Sequence, residues 1–311
     1  MGKKQSYFED YTELIGADGT VYKFDDWYKF VVSETGFGAP PIEFITQSGP
    51  LQHGDTVLDY RLRPRIIQQI VRYDACDRED YWTKRAELLD AIRPNRHPAG
   101  QVLPATLRKR LPGGVVYDLA VFVEQGPAFA PRDPRKWDEF GFTDTIRYRA
   151  DDPIALSPTL NTSTWVLTPT DDLIFPITFP IIFGSTIINS DITVRNPGTW
   201  ESYPKIVMQG PCNSPLITNQ DIDESIKLNY AVSTGETVTI ELTPEEKLVY
   251  NQLSVNLLGT VDLDESDLAT FRIEVAPAVA DGDNVINVTA SGAVAGVTSI
   301  SLSFYPRFYG F

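Results

Sequence analysis

Alternation of apolar and polar residues, one on and one off, most constrains what this 311-residue chain can fold into. Successive side chains of a strand point to opposite faces, so alternation marks a strand with one buried face. "VLDYRLR" sets Leu58, Tyr60 and Leu62 against Asp59, Arg61 and Arg63. "VYDLAVFVE" puts Tyr117, Leu119, Val121 and Val123 on one face, and "IRYRA" sets Ile146 and Tyr148 against Arg147 and Arg149. The rhythm returns in "SIKLNYAV", "ETVTIEL", "TFRIEVA" and "SISLSF". The 23 prolines and 21 glycines are spread along the chain, as expected for many short strands joined by turns. The reading is a mainly β protein whose second half is a β-sandwich or jelly roll.

Two stretches depart from alternation. In "DREDYWTKRAELLDAIRPN", Asp77 is placed to cap a helix, with Asp80 three residues on, and Pro94 ends it. Trp82, Ala86, Leu89 and Ile92 fall at helical spacing, which predicts one long helix over 78–92, lying across a sheet and anchored by Trp82. In "LTPEEKLVYN", Thr243, Pro244 and Glu246 predict one or two helical turns. "LPATLRKRLPGGVVY" reads as the two arms of a hairpin. Its Arg108, Lys109 and Arg110 are expected in solvent, the alternative being a docking surface for an acidic partner.

Charge divides the chain unevenly. Residues 1–60 carry a net of −6, residues 61–150 a net of +5 and residues 151–311 a net of −14, for −15 in all. That balance argues against general binding to nucleic acid or an anionic membrane. The Pro/Ser/Thr-rich join "RADDPIALSPTLNTSTW" places a boundary near Ser157, giving domains 1–157 and 158–311. Cys76 and Cys212 lie far apart in sequence and are expected to be free thiols in a reducing compartment. "MGKKQSYFED" has no apolar core of a secretory signal, and the apolar run at 173–184 is too short to span a bilayer.

Candidate chemistry is sparse. His53, Gly54 and Asp55 invite a catalytic reading, but no G-x-S-x-G accompanies them and residues two apart on a turn seldom share a target. They are expected to shape the connection between two strands. His97 sits in a loop without Cys or acidic neighbours. Asp262, Asp264 and Asp267, and likewise Asp281 and Asp283, lack the Gly and Glu positions of an EF-hand and are expected to be solvated turns. No phosphate-binding glycine motif occurs. Trp165, Trp200, Tyr203, Tyr230 and Tyr250 are expected to pack in a core, the alternative being an exposed aromatic of a sugar site. No cofactor, metal or catalytic residue is assigned.

The order of these segments resembles the siphophage distal tail proteins. The resemblance rests on the polar turn "GPLQHGD" before "RLRPR", on the helix motif carried by Arg85, Leu88 or Leu89, and Pro94, and on "IRYRADDP" at Ile146–Pro153. In the second half, "VRNPGTWESYPKIVMQGPCNSPLITN" is similar to a sandwich motif of the family. It matches at Asn196, Gly198, Pro204, Ile206, Gly210, Pro211, Pro215, Ile217 and Asn219. The likeness covers about the whole chain, without the long insertions that carry extra carbohydrate-binding modules. It implies an N-terminal β-sandwich or split-barrel belt domain with one long helix, followed by a galectin-like β-sandwich. It implies a hexameric ring in the virion at the tip of a long non-contractile tail, assembled in the host cytoplasm. The ring would join the tail tube to the baseplate. Its partners would be the tail tube protein, the hub and tape-measure proteins, and side fibres or receptor-binding proteins on the sandwich. Genomic DNA would only pass through the channel, and no membrane is engaged. No catalysis is implied; the alternative function is binding of host glycan by the sandwich. Within the ring, Arg61, Arg63, Arg147 and Arg149, with Arg108, Lys109 and Arg110, are expected on surfaces between subunits or facing the tube.

Overall fold

The computed structural model describes residues 10–25, 28–50, 53–96, 102–129, 141–166, 186–243 and 246–311. Trp27, His97, Pro244 and the apolar run at 173–184 lie outside them. The protein is mainly β, and the chain divides into two compact units. Unit 1 is Met1–Pro158 with Phe308–Phe311, and unit 2 is Thr159–Arg307.

Unit 1 opens with β1 (Tyr11–Ile15), β2 (Val21–Phe24), β3 (Lys29–Thr35), β4 (Ile42–Gln47), β5 (Thr56–Leu62) and β6 (Arg65–Asp74). Then come helix α1 (Arg78–Ala91), the short pair β7 (Asn95–Arg96) and β8 (Val102–Leu103), and β9 (Ala105–Arg110), β10 (Val116–Gln125), β11 (Gly141–Ala150) and β12 (Ala155–Leu156). The main strands run in the order β2-β1-β9-β10-β11-β6-β3. Strand β10 turns the sheet: Val116–Val121 pair with β9, whereas Phe122–Gln125 pair with β11 across a bulge. A bulge bends a strand and re-aims its ladder, which lets one strand serve two sheets. The inward residues Leu14, Phe24, Ile67, Val71, Leu107, Leu119, Ile146 and Tyr148 form the core.

Helix α1 begins as the sequence predicts, with the Asp77 carboxylate accepting from the Asp80 backbone N–H at 2.9 Å. Its buried face differs from the expected one. Leu88 is fully buried and Ile92 nearly so, with Tyr81 on the same side. Trp82 is 51% exposed, and Leu89 is exposed as well. Residues 81, 84, 85, 88 and 92 form a stripe one position away from Trp82, Ala86 and Leu89, about 100° around a helix. The inward stripe includes Lys84, which reaches the Asp74 carbonyl at 3.0 Å, and Arg85, whose guanidinium lies 4.2 Å from the Phe129 ring centroid. Long cationic stems cover apolar surface as well as a tryptophan does, so composition alone misdirects the face.

Unit 2 is a sandwich. One sheet orders β13 (Asn161–Val166), β22 (Ser299–Phe304), β15 (Lys205–Gln209), β19 (Thr237–Leu242) and β20 (Lys247–Asn251). The other orders β14 (Thr186–Arg195), β21 (Asp283–Ala293), β16 (Cys212–Asn219) and β17 (Glu224–Lys227), with β18 (Ala231–Val232) beside β16. Trp165, Ile206, Ile240 and Leu302 from the first sheet share one core with Ile217, Ile226, Ile286 and Val288 from the second. The helical turns expected after Thr243 are replaced by strand β20, paired from Leu242↔Lys247 to Val238↔Asn251. Thr243 still closes the turn, its hydroxyl accepting from the Glu246 N–H at 3.2 Å.

The second-half motif is a set of buried asparagine clamps. Asn196 donates to the Ile273 carbonyl at 2.9 Å and accepts from the Gly198 N–H at 3.0 Å. Asn219 donates to the Arg272 carbonyl at 3.0 Å and to Asn284 at 3.1 Å. Loops that must be buried need acceptors and donors supplied by side chains, and asparagine offers both.

Candidate functional site

The most distinctive surface is a ribbon that leaves the body of unit 1. Among the described residues, strands β4 and β5 pair only with each other. The chain departs at Gly36, whose φ of +98° and 2.2 Å clearance from the Ile66 carbonyl to any Cβ require glycine. It returns through Arg63, whose N–H bonds the Pro41 carbonyl at 2.8 Å. The register sets Ile42 opposite Leu62 and Phe44 opposite Tyr60 on one face, and Glu43 opposite Arg61 and Ile45 opposite Asp59 on the other. Leu58, Tyr60 and Leu62 do alternate with charged residues, but this face is not half-buried as the sequence suggests. Phe44 is 57% exposed, Leu58 59% and Tyr60 50%. A lone two-stranded ribbon is marginal in water, and clustered exposed apolar side chains mark a surface that another molecule covers.

On the charged face, Glu43 pairs with both Arg61 and Arg63. Hydrogen bonds from Arg61 first, then Arg63, hold its carboxyl below the usual carboxylate range. His53 and Asp55 lie exposed in the connection between the two strands, as turn residues.

The other cations singled out in the sequence are distributed over unit 1 rather than gathered into one patch. Arg147 pairs with Glu124 at 3.0 Å, and Arg149 with Asp151 at 2.7 Å. Arg108 grips Asp118 through two bonds of 2.7 Å, and Arg110 meets Glu13 at 3.2 Å. The expectation of a solvated Arg108–Arg110 run is corrected at its centre. Lys109 points inward, is 6% exposed and pairs with Asp10 and Glu34. Strand β9 lies between β1 and β10, so alternation must turn one residue of the run into the core. Strands β2 and β3, the two ends of the order, share no ladder. Buried polar groups brace that opening: Lys109 holds Glu34, and Gln69 donates to Glu34 at 3.2 Å and to Thr12 at 3.1 Å.

Glu13, 2% exposed, is buried as well. Burial would raise its pKa, but bonds from Arg110 and Lys23 outweigh that and hold the carboxyl below its ordinary value. Among the described residues, no three His, Cys, Asp or Glu side chains are grouped to hold a metal, and no helix is long and apolar enough to cross a membrane. Asp262 bonds Asn229 at 3.1 Å and its own turn, and Asp267 accepts from the Ser225 N–H at 2.9 Å. These acids organise loops. Cys76 is exposed and Cys212 buried; both are free, and burial pushes the Cys212 thiol up to about 11. Trp165 is buried, and Trp200, Tyr203, Tyr230 and Tyr250 are each partly covered, so none of the five stands out as an open stacking face.

Both units are mainly β, with one α-helix among the described residues and a ribbon that leaves the body of unit 1. The fold is similar to that of the Dit protein of phage SPP1, described as a paradigm of the hub adsorption apparatus in phages that infect Gram-positive bacteria. That likeness has a TM-score of 0.61 at 13% identity, over 96% of this chain and 99% of that one. The chain is thus Dit-like in fold. A chain of the phage P2 baseplate aligns over 95% of this chain and 97% of its own, at 10% identity and a TM-score of 0.49, too loosely to argue from. No family model and no curated protein matches the sequence.

Proposed function

We propose that this protein is a structural subunit of a phage tail tip, a hexameric ring joining a long non-contractile tail tube to the baseplate and adhesion apparatus. The observation that carries the reading is the β4–β5 ribbon, whose apolar face is left uncovered by the described residues in a fold similar to that of a hub protein over nearly its whole length. In this reading unit 1 is the belt, and the ribbon lies against the neighbouring subunit around the ring. A closed ring covers such a surface on every copy, whereas an open one invites aggregation. Unit 2 is the galectin-like domain, turned outward to hold side fibres or receptor-binding proteins. Arg61, Arg63, Arg147 and Arg149 face subunit or tube contacts, where charge sets register and association rate. The role is structural rather than enzymatic.

Light scattering and class-averaged electron micrographs of the purified chain test this. The expected result is rings of about six copies with a central hole. The double variant Phe44→Asp, Tyr60→Asp should stay folded and lose the ring. A wild-type chain that stays monomeric at high concentration, or a double variant that still closes rings, overturns the reading.

A further inference from the structure

Residues Phe308–Phe311 follow the whole of unit 2 in the chain, yet they belong to unit 1. Their contacts are specific. The Phe311 ring stacks on Tyr117 at 4.4 Å and 16°, and lies 5.2 Å from Phe37. Phe308 meets Tyr117 edge-on at 4.9 Å. The Phe311 N–H bonds the Phe37 carbonyl at 3.2 Å. Arg65, 1% exposed, donates to the Phe37 carbonyl at 3.0 Å and the Tyr309 carbonyl at 2.7 Å. At Gly310, a Cβ would stand 2.9 Å from backbone atoms of Gly38. Gly36–Gly38 and Arg65 are the two roots of the β4–β5 ribbon, where the chain leaves β3 and where it enters β6.

We propose that Phe308–Phe311 is a late latch, which fixes the root of the ribbon only after the chain has been synthesised through unit 2. Chains fold from the N-terminal end as they are made. Every other strand of unit 1 is available before residue 159, so without the latch its sheet can form. The Arg65 guanidinium then lacks its Tyr309 acceptor, and Phe37 and Tyr117 lack their apolar cover. A buried cation short of an acceptor is costly, so the root stays loose. The arm-bearing unit is thereby withheld from assembly until the latch arrives. Only this last consequence rests on the ring reading; the latch itself does not.

Hydrogen exchange on a chain ending at Arg307, and on the full chain carrying Phe308→Ala and Phe311→Ala, tests the latch. Exchange should quicken about tenfold or more around residues 37–41, 63–67 and 116–119, with unit 2 unchanged. A synthetic peptide of the latch residues should restore protection to the shortened chain. Unchanged exchange at these sites, or equal loosening of both units, overturns the proposal; if the shortened chain is insoluble, the double variant decides on the same readout. Light scattering on the same samples separates the two ideas. Loosened roots in chains that still form rings at the wild-type rate overturn the withholding step. A wild-type chain that never forms rings sinks the ring reading, while exchange still judges the latch.

Discussion

At the scale of single residues, Glu13 is a buried carboxylate held between two cations. Glu13 is 2% exposed, and its Oε1 lies 3.3 Å from Lys23 and 3.2 Å from Arg110. Glu13→Gln keeps the shape and removes the anion, leaving two cations facing an amide. The expected cost at pH 7 is about 3 kcal/mol, read as a drop in the midpoint of denaturant unfolding. The sign of its pH dependence follows from the depressed carboxyl. A lowered folded pKa stabilises the fold above the unfolded value of about 4.3, and that stability is lost as pH falls through the folded value. The gap between wild type and Glu13→Gln should therefore be full at neutral pH and shrink below about pH 4. A gap that stays constant to pH 2 would assign the loss to packing rather than to charge.

At the scale of elements, helix α1 and the ribbon make opposite points about apolar residues. Leu88 fills the core, whereas Trp82 is half exposed and meets Tyr81 edge-on at 5.7 Å and the Arg85 guanidinium at 5.0 Å, so Leu88→Ala should cost about 2–5 kcal/mol. Trp82→Ala should cost less, on the order of 1 kcal/mol, because half of its side chain is already in solvent. Thermal melts of the two variants decide this, and a larger loss for Trp82 would reverse the assigned face. The ribbon's charged side supplies a second expectation. Arg61→Glu with Arg63→Glu places three carboxylates, with Glu43, where one acid now faces two cations. These side chains are exposed, so the melting temperature should hold while formation of the proposed ring falls. Unchanged rings would remove this face from the interface. The bounds of α1 and the partners of its cap were legible in the sequence, because a cap is a local bond between residues three apart. The buried face was not, because two stripes one residue apart are equally helical and only the sheet beneath selects between them.

At the scale of the whole molecule, the chain order and the spatial order disagree. Unit 2 lies in sequence between Pro158 and Phe308, both part of unit 1. Its own ladder joins its first strand to its last, from Asn161↔Phe304 to Val166↔Ser299. A fragment of residues 159–307 should therefore melt cooperatively by circular dichroism, since its core contains both of its ends. A non-cooperative or aggregating fragment would mean that unit 2 depends on the rest of the chain. The sequence boundary near Ser157 follows a change in composition, and composition has no means of reporting that four residues return after 149 others.

The sequence by itself determined which residues of each strand share a face, where the helix starts, and which asparagines sit in the second-half motif. These are consequences of local geometry: a period of two, a cap, a side chain that both donates and accepts. Only the tertiary structure decided which of those faces is covered. Tyr60 and Tyr148 both alternate with charged residues, yet one is half exposed on the ribbon and the other lies at 0% in the core. Lys109 sits within a basic run and is nonetheless buried, because strands arrive on both sides of it and a carboxylate from β3 meets it. Phe308–Phe311 is distant in sequence from Phe37, Arg65 and Tyr117, which only the fold brings together around it. Alternation fixes direction relative to the strand itself; burial depends on what other surface arrives, and that surface comes from distant sequence or from another molecule.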